Sequence, residues 1–459
     1  MFKTSRRGFL VGCSSAIAAM AGSQMNRVVF GNPEEEPNQN IMVVIFLRGG
    51  CDALSVIAPM GGDDRGYYEA ARDSLQLPAS GAGGLLQLGS SNLGLHHRAA
   101  HLHELFTDNK LAVIPATGMH SNTRSHFDAM QYMELGTPDS KSATSGWLTR
   151  HLQTSGTAWQ DDLLPVLGVG DISPTSLAGT YNKVSMSSVN DFRLDRGFSP
   201  ERDFQRSTLR SLYRAKNSVV HNSGLNAINA TDIVELNSIG SYTAENGADY
   251  PSGSFGDQLK LVAQMIKLQL GLKVATVDLG GWDTHENQGH TNVSGPAGYF
   301  ADRLGMLSQG MKAFYDDLNG AGPSNDFSKR TTVVCMSEFG RRLRENENRG
   351  TDHGHGGYMM VMGGETNGGL HGTWPGLHND QLYDNADLAV TTDYRRVLSE
   401  IMIRRFQNNN LGTIFPGYSD YSPMNLVQGA DMTPKYETEI ITDPGNLDQK
   451  IFLPAVVNG

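Results

Sequence analysis

Short apolar segments that alternate with amphipathic helical segments constrain the fold of this chain most strongly. Residues 41–47 and 331–336 are largely apolar runs of strand length, whereas residues 258–270 and 298–318 have the periodicity of helices. Continuous apolar runs are typical of strands buried on both faces, and their alternation with helices places a parallel sheet between helical layers. The sequence therefore predicts an α/β fold with a doubly wound, mostly parallel sheet and helices on both faces.

The same alternation extends through most of the chain, with one polar interruption. Residues 171–253 are polar, rich in Ser and Asn, and weakly periodic, which predicts an insertion or cap on the domain. Elsewhere, strands are predicted at 111–115, 164–169, 274–279 and 358–362, and helices at 101–106, 125–135 and 393–406.

The amino terminus carries an export pattern. Arg6 and Arg7 stand directly before a short apolar run that ends near Ala21, and this arrangement is typical of a twin-arginine signal. We therefore expect the twin-arginine translocase as a partner during export and a periplasmic or secreted location. The predicted divisions are a signal peptide over 1–30, a polar linker over 31–40 and a mature domain over 41–459.

Composition argues against several classes of protein. A net charge of -11 without clustered Lys and Arg argues against nucleic acid as a partner. No stretch after the signal reaches the roughly 20 apolar residues of a membrane span, so no transmembrane segment is predicted in the mature chain. Cys13 lies in the signal, which leaves Cys51 and Cys335 as predicted buried thiols rather than a disulfide framework.

Polar clusters follow four of the predicted strands. They occupy residues 48–52, 120–128, 280–286 and 337–341. Because the carboxyl ends of parallel strands share one edge of the sheet, and ligands bind in the crevice there, we expect these clusters to converge. The alternative is that each cluster is an independent polar turn.

A further cluster, Thr351-Asp352-His353-Gly354-His355-Gly356-Gly357, offers one carboxylate and two imidazoles within four positions. Glycine lets the backbone fold tightly enough for neighbouring side chains to converge on one point. Asp and His are ligands for Zn, Mn or Mg, so the run predicts part of a metal centre. A glycine-rich surface turn is the alternative.

These motifs, in this order, resemble a bacterial family. Phe-Leu-Arg-Gly-Gly-Cys-Asp spans 46–52, Arg-Ser-His-Phe-Asp-Ala spans 124–129, Gly-Gly-Trp-Asp-Thr-His-Glu-Asn spans 280–287 and Ser-Glu-Phe-Gly-Arg spans 337–341. With the run at 351–357 and the twin-arginine signal, they resemble an exported domain-of-unknown-function family related to the alkaline phosphatase and sulfatase superfamily. The resemblance implies an alkaline-phosphatase-like fold over almost the whole mature chain.

The superfamily holds one or two divalent metals, and the resemblance implies which residues take part. Its carboxylate after the first strand resembles Asp52, its Asp with a nearby His resembles Asp283 and His285, and its final His resembles His353 or His355. The residue patterns add a carboxylate after the strand at 331–336 and another in the glycine-rich run. The candidate metal ligands are Asp52, Asp283, His285, Glu338, Asp352, His353 and His355.

The resemblance also implies a nucleophile at the start of a later helix. Ser125 matches this position best, and Thr123 lies just before it. Divalent metals polarise a phosphate or sulfate ester, and arginines can hold its oxygens through paired hydrogen bonds. The catalytic candidates are Ser125, Thr123, Arg48, Arg124 and His126.

One departure from the superfamily pattern bears on the metal. Where the superfamily has an Asp-His pair, this chain has Glu338-Phe339, and a phenyl ring cannot bind a metal. The site is therefore predicted to hold either one metal or an oxygen-rich pair, with Zn, Mn, Mg and Ca all open.

Several candidates also have structural interpretations. Asp52 and Ser125 both precede predicted helices and can serve as N-caps, and Glu338 can pair with an arginine that follows it. Other histidines have no clear carboxylate partners and are expected in surface or packing positions, with the last two as weaker ligand candidates: His96, His97, His101, His103, His290 and His371.

Three functions follow from these patterns. The leading one is hydrolysis or transfer of a phosphate or sulfate ester by an exported metal-dependent enzyme. The second is a non-catalytic metal-containing protein that binds an anionic envelope glycan. The third is a structural partner of another exported protein, with residues 171–253 as its interface.

Overall fold

The central strand of the molecule, β1 (Ile41–Leu47), is buried along its whole length. Val43 and Ile45 belong to one hydrophobic cluster, whereas Val44 and Phe46 belong to another. Because successive side chains of a strand point to opposite faces, the two clusters lie on opposite sides of the sheet. Both faces of the strand are therefore covered, as its continuous apolar sequence predicts.

The computed structural model describes residues 40–156, 162, 164–170, 173–180, 183–186, 199–216, 221, 224–225, 228–229, 231–232, 242–289, 298–320 and 326–438. These residues belong to one unit that extends from residue 40. The predicted signal peptide, the predicted linker up to residue 39, His290 and parts of the predicted insertion lie outside the described residues.

The main sheet is mostly parallel, which confirms the predicted α/β class. Within the described residues its strand order is β11-β5-β10-β9-β1-β8-β6-β7, with β12 paired to β5. The strands beyond β1 are β5 (Leu111–Gly118), β6 (Val166–Val169), β7 (Lys183–Met186), β8 (Val274–Leu279), β9 (Thr331–Ser337), β10 (Gly357–Gly363), β11 (Gly369–Leu370) and β12 (Thr392–Asp393). A small separate sheet contains β2 (Ile57–Pro59), β3 (Leu86–Gln87) and β4 (Leu93–Leu95).

Helices pack on both sides of the main sheet. Leu259 and Leu304 contribute to the cluster that contains Val43, whereas Trp147 and Leu398 contribute to the cluster on the other face. In chain order the helices are α1 (Ala53–Val56), α2 (Asp63–Ala71), α3 (Ala100–Thr107), α4 (His126–Leu135), α5 (Trp147–Thr154), α6 (Ser199–Arg214), α7 (Ser254–Lys267), α8 (Tyr299–Leu318), α9 (Tyr394–Phe406) and α10 (Leu411–Ile414).

Strand β10 runs against its neighbours, and its direction positions the glycine-rich run. β10 is antiparallel to both β5 and β9, whereas β1 is parallel to β8 and β9. The residues that enter β10 therefore lie at the same edge as the residues that leave β5 and β9. This places 351–356 beside the loops that follow the parallel strands.

The sheet also extends into the segment that was predicted as an insertion. Within 171–253, β7 pairs in parallel with β6 and forms one end of the strand order. Cys51 and Cys335 are buried free thiols, as predicted. No helix in the described part of the chain combines the length and apolar character that a membrane crossing requires.

Candidate metal centre

Loops at one edge of the main sheet bring together three histidines and an aspartate. His126 is the first residue of α4, in the connection that follows β5. Asp283 and His285 lie in the loop after β8, and His353 lies in the run that enters β10. These four residues, which we call the histidine cluster, come from strands that are spread across the sheet.

One carboxylate oxygen lies at the centre of the histidine cluster. The Oδ1 atom of Asp283 is 3.2 Å from Nε2 of His126, 3.1 Å from Nε2 of His285 and 3.3 Å from Nε2 of His353. Ligand atoms of His126, Asp283 and His353 all lie within 4.8 Å of one another. These two nitrogens and one oxygen converge on a shared point, and Nε2 of His285 lies beside His353 and Asp283.

Each imidazole is held through its other nitrogen by an oxygen that can only accept a hydrogen bond. Such a partner fixes the proton on Nδ1 and leaves the lone pair on Nε2, as in the carboxylate–histidine pairs of metal sites. The three pairs are His126 Nδ1 with Glu338 Oε1 (2.7 Å), His285 Nδ1 with Asp352 Oδ1 (3.2 Å) and His353 Nδ1 with the Arg124 carbonyl oxygen (2.7 Å).

This arrangement fits a cation. Nε2 of His285 and Nε2 of His353 are 2.8 Å apart, and two lone pairs at that distance repel unless a proton or a cation lies between them. In tetrahedral zinc coordination with bonds of about 2.0–2.1 Å, ligand atoms are about 3.3 Å apart. The separations of 3.1 to 3.3 Å around Asp283 agree with that spacing.

Electrostatics keep the aspartate ionised and one histidine neutral. Burial opposes ionisation of Asp283, but Arg341 and the neighbouring imidazoles lower its pKa well below the ordinary value. Burial, together with the positive charge of Arg341, lowers the pKa of His353. Burial also lowers the pKa of His126, but Glu338 and Asp283 outweigh that effect and raise it. A cation at the cluster would therefore displace a proton from His126 more than from His353.

Glu338 lies behind His126 rather than in the cluster. Its side chain is fully buried and accepts hydrogen bonds from the Gly49 amide (2.9 Å) and the Ser337 hydroxyl (3.0 Å), besides the bond with His126. A carboxylate in this position orients the imidazole and increases its basicity. The structure therefore places Glu338 as the hydrogen-bond partner of His126, a candidate ligand.

Arg341 fixes the loops around the cluster. It is fully buried, and it donates to the carbonyl oxygens of Gly49, Gly50 and Thr351 and to Oδ1 of Asp283 (2.7 Å). Gly49 has φ +120°, and a Cβ atom there would lie 2.5 Å from the Asp283 amide nitrogen. The glycine after β1 is thus required for the close approach of the β1 and β8 loops.

A family model covers most of this site. A model described as a protein of unknown function (DUF1501) matches residues 139–410, more than half of the 459-residue chain. The chain belongs to the DUF1501 family. The matched range includes Asp283, His285, Glu338 and His353, whereas His126 precedes it. No curated protein matches the chain.

Asp52, a predicted ligand in this DUF1501 chain, lies apart from the histidine cluster. Its carboxylate is fully buried and accepts two hydrogen bonds from Arg72 (2.6 and 2.9 Å), one from Ser55 (2.7 Å) and one from Gln288 (2.8 Å). Burial raises the pKa of Asp52, but Arg72 outweighs it, and the pKa is lowered. Because Gln288 also bonds Thr284 and Thr351, this ion pair supports the loops that carry the cluster.

Ser125 and Thr123 take part in the turn before α4. Ser125 is the N-cap of the helix, and its hydroxyl accepts the Asp128 amide at 3.4 Å, as the capping interpretation predicts. The Thr123 hydroxyl accepts the Ser125 amide at 3.2 Å. Both hydroxyls are therefore used locally, in the segment that directs His126 toward the cluster.

The two arginines predicted to hold ester oxygens are paired with carboxylates. Arg48 pairs with Glu134 at 2.6 Å and with Asp278 at 2.8 Å. Arg124 pairs with the buried Asp387 at 2.7 Å. Both guanidinium groups therefore form ion pairs within the protein.

The remaining residues of the glycine-rich run have separate positions. Asp352 orients His285, as described above, and also accepts a hydrogen bond from Asn346 at 3.1 Å. His355 is buried and bonds Asp387 through Nδ1 at 2.8 Å, so it faces the ion pair of Arg124. Of the run, His353 alone contributes a ligand atom to the histidine cluster.

The sequence predicts His126 as a catalytic candidate, whereas the structure places it among the ligand candidates. Its position at the start of a helix after a buried strand was the available signal, since the clusters after strands were expected to converge. The other histidines lie elsewhere: His96 stacks on His97 with centroids 4.3 Å apart, His101 and His103 lie on α3, and His371 bonds the Asn367 carbonyl.

Proposed function

We propose that this protein is an exported, metal-dependent enzyme that hydrolyses or transfers phosphate or sulfate esters. The proposal depends on one observation: three imidazole Nε2 atoms lie 3.1 to 3.3 Å from a single oxygen of Asp283, and each imidazole is oriented through Nδ1. A divalent cation held there supplies Lewis-acid polarisation of the ester and lowers the pKa of a nearby hydroxyl.

The residues of the chain define the kind of cation. His126, His285, His353 and Asp283 would hold it, and a set rich in imidazole favours Zn or Mn over Ca or Mg. Glu338 keeps His126 in the ligand orientation, and buried Arg341 keeps Asp283 ionised. The cluster supports one ion, since Asp52 and Glu338 face other partners.

We extend the proposal to the fold and the location of the protein. The mostly parallel sheet, with the histidine cluster at the carboxyl edge of its parallel strands, supports an alkaline-phosphatase-like arrangement. The paired Arg6 and Arg7 support twin-arginine export to the periplasm or beyond. Arg6→Lys with Arg7→Lys should leave the precursor in the cytoplasm, and normal export of this double variant would contradict the assignment.

The test of the enzyme proposal is metal analysis followed by activity measurement. The purified chain, loaded with Zn or Mn and freed of excess metal, should retain one ion and hydrolyse members of a panel of chromogenic phosphate and sulfate esters. Asp283→Asn should lose both the ion and the activity. Absence of a retained ion in the wild type, or turnover that is unaffected by Asp283→Asn, would refute the proposal.

A second function is favoured by the surroundings of the cluster. Ser125 and Thr123 use their hydroxyls in the helix cap and turn, and the Phe339 ring packs 4.8 Å from His126 and 5.0 Å from His353. A non-catalytic metal protein that binds an anionic glycan or a protein partner would need no nucleophile. Tight metal binding without turnover of any ester would favour this function.

A further inference from the structure

An ester anion requires a positive group that is not already neutralised by the protein. Arg48, Arg124 and Arg341 all lie near the loops of the histidine cluster, and each of them contacts a carboxylate at 2.6 to 2.7 Å. Arg341 is also fully buried. In each pair the carboxylate offsets the positive charge, so an anion is held better by a guanidinium group without such a partner.

Arg303 is placed beside the loop that carries Asp283. It lies one turn after Tyr299, the first residue of α8, and its guanidinium carbon is 5.5 Å from the centre of the Tyr299 ring. Gly281 has φ +90°, and a Cβ atom there would collide with the Tyr299 hydroxyl and lie 3.0 Å from Nε of Arg303. Both side chains therefore lie directly against Gly281.

This pair contacts the loop that carries the aspartate of the cluster. Gly281 and Asp283 are two residues apart, so their Cα atoms are separated by at most about 7.6 Å. Tyr299 is 48% exposed and Arg303 is partly exposed. In the described part of the chain, Arg303 has no carboxylate within ion-pair distance, which distinguishes it from the three arginines above.

We propose that Tyr299 and Arg303 form the subsite that binds the tetrahedral anion of the ester, a phosphate or a sulfate. The inference rests on the proposed function and identifies the residues that recognise its substrate. The planar guanidinium can donate two parallel hydrogen bonds to anion oxygens, and the tyrosine hydroxyl can donate a third. Gly281 is required because even a Cβ atom there would collide with the Tyr299 hydroxyl and displace this pair.

The experiment is calorimetric titration of the full mature chain with inorganic phosphate and, separately, with inorganic sulfate, both with and without the loaded metal. Arg303→Gln should weaken anion binding at least about tenfold, because it removes a charge-assisted hydrogen bond. Tyr299→Phe should weaken it by a smaller factor. Melting temperature and retained metal should be unchanged in both variants, because Tyr299 is exposed, Arg303 is partly exposed and both lie outside the cluster.

Arg344→Gln is the matched control. Arg344 is exposed, follows the same β9 loop as Arg341 and has no carboxylate within ion-pair distance among the described residues. If Arg303→Gln binds both anions as tightly as the wild type, or if Arg344→Gln weakens binding equally, the inference is wrong. The comparison of phosphate with sulfate shows which of the two anions the subsite accepts.

Two outcomes distinguish a failure of this subsite from a failure of the proposed function. Anion binding that depends on Arg303 in a chain that retains no metal would support the subsite and refute the metal-dependent enzyme. Metal retention and ester turnover that are insensitive to Arg303→Gln would support the enzyme and refute the subsite.

Discussion

Asp52 and Asp283 follow neighbouring parallel strands at the same edge of the sheet, yet their surroundings are opposite. Asp52 is fully buried and is neutralised by two hydrogen bonds from Arg72, which is itself fully buried. The Asp283 side chain is 49% exposed and lies among the Nε2 atoms of three imidazoles, besides its ion pair with buried Arg341. Position after a strand therefore does not distinguish a candidate metal ligand from a structural ion pair, whereas exposure and the neighbouring side chains do.

The largest effect on stability is expected when Asp52, the buried partner of Arg72, loses its charge. Asp52→Asn would leave the Arg72 guanidinium uncompensated in the core, which should lower the free energy of unfolding by about 3–5 kcal/mol. Urea denaturation of the metal-free proteins measures this difference. Asp283→Asn is the matched control and should lower stability less than Asp52→Asn, because the Asp283 side chain is half exposed and buried Arg341 keeps its three carbonyl acceptors. Equal destabilisation by the two substitutions would remove the distinction between these carboxylates.

The same ion pair should make stability depend on pH at the acidic end. The folded-state pKa of Asp52 is lowered because Arg72 outweighs burial. The stabilisation by the ionised Asp52 carboxylate is therefore complete above the unfolded-state pKa of about 3.9. It is lost as the pH falls through the lowered folded-state pKa of Asp52. The stabilities of the wild type and Asp52→Asn should converge below about pH 4. A constant difference between them down to pH 2 would show that Asp52 does not stabilise through its charge.

A smaller effect is expected from Glu338, which bonds His126 from outside the histidine cluster. Glu338→Gln should keep a hydrogen-bonding group beside His126 but remove the charge that raises its basicity, so metal affinity should fall about 10–100-fold. Competition with a chromogenic chelator measures the change. Glu286→Gln is the control, since Glu286 is exposed and adjacent to His285 in sequence. Unchanged affinity in Glu338→Gln would exclude a supporting role for Glu338.

The smallest effect is expected from Ser125, the N-cap of α4. Ser125→Ala removes the hydroxyl that accepts the Asp128 amide and should cost about 1 kcal/mol of stability, with no change in metal retention. Thermal unfolding and ester turnover are measured on the same samples. Loss of turnover at unchanged stability would instead identify Ser125 as the nucleophile.

The sequence predicted which strands and loops form the site better than it predicted the side-chain contacts within the site. The apolar runs located β1, β5, β8 and β9, and the parallel-sheet rule correctly brought the loops after them to one edge. The antiparallel direction of β10 was not predicted, because an apolar run such as 358–362 has the same pattern in either direction. That direction nevertheless brings His353 to the cluster.

Contacts between distant residues could not be obtained from the sequence. Nothing in the sequence links Asp52 to Arg72. Their contact forms only when the end of α2 packs against the loop that follows β1. Similarly, Glu338 was predicted as a ligand because it follows a buried strand, but its partner is decided by the turn that presents His126. Each assignment depends on which side chain fills the space beside a carboxylate, and that is a property of the packed loops.

The most direct test of the proposed metal centre is a crystal structure of the zinc-loaded protein with anomalous data collected at the zinc absorption edge. We predict one strong peak about 2.0–2.2 Å from Asp283 and from the Nε2 atoms of His126 and His353, with His285 as the fourth ligand. Glu338 should remain bonded to Nδ1 of His126. A peak coordinated by Asp52, or a fully loaded protein with no peak at the histidine cluster, would contradict it.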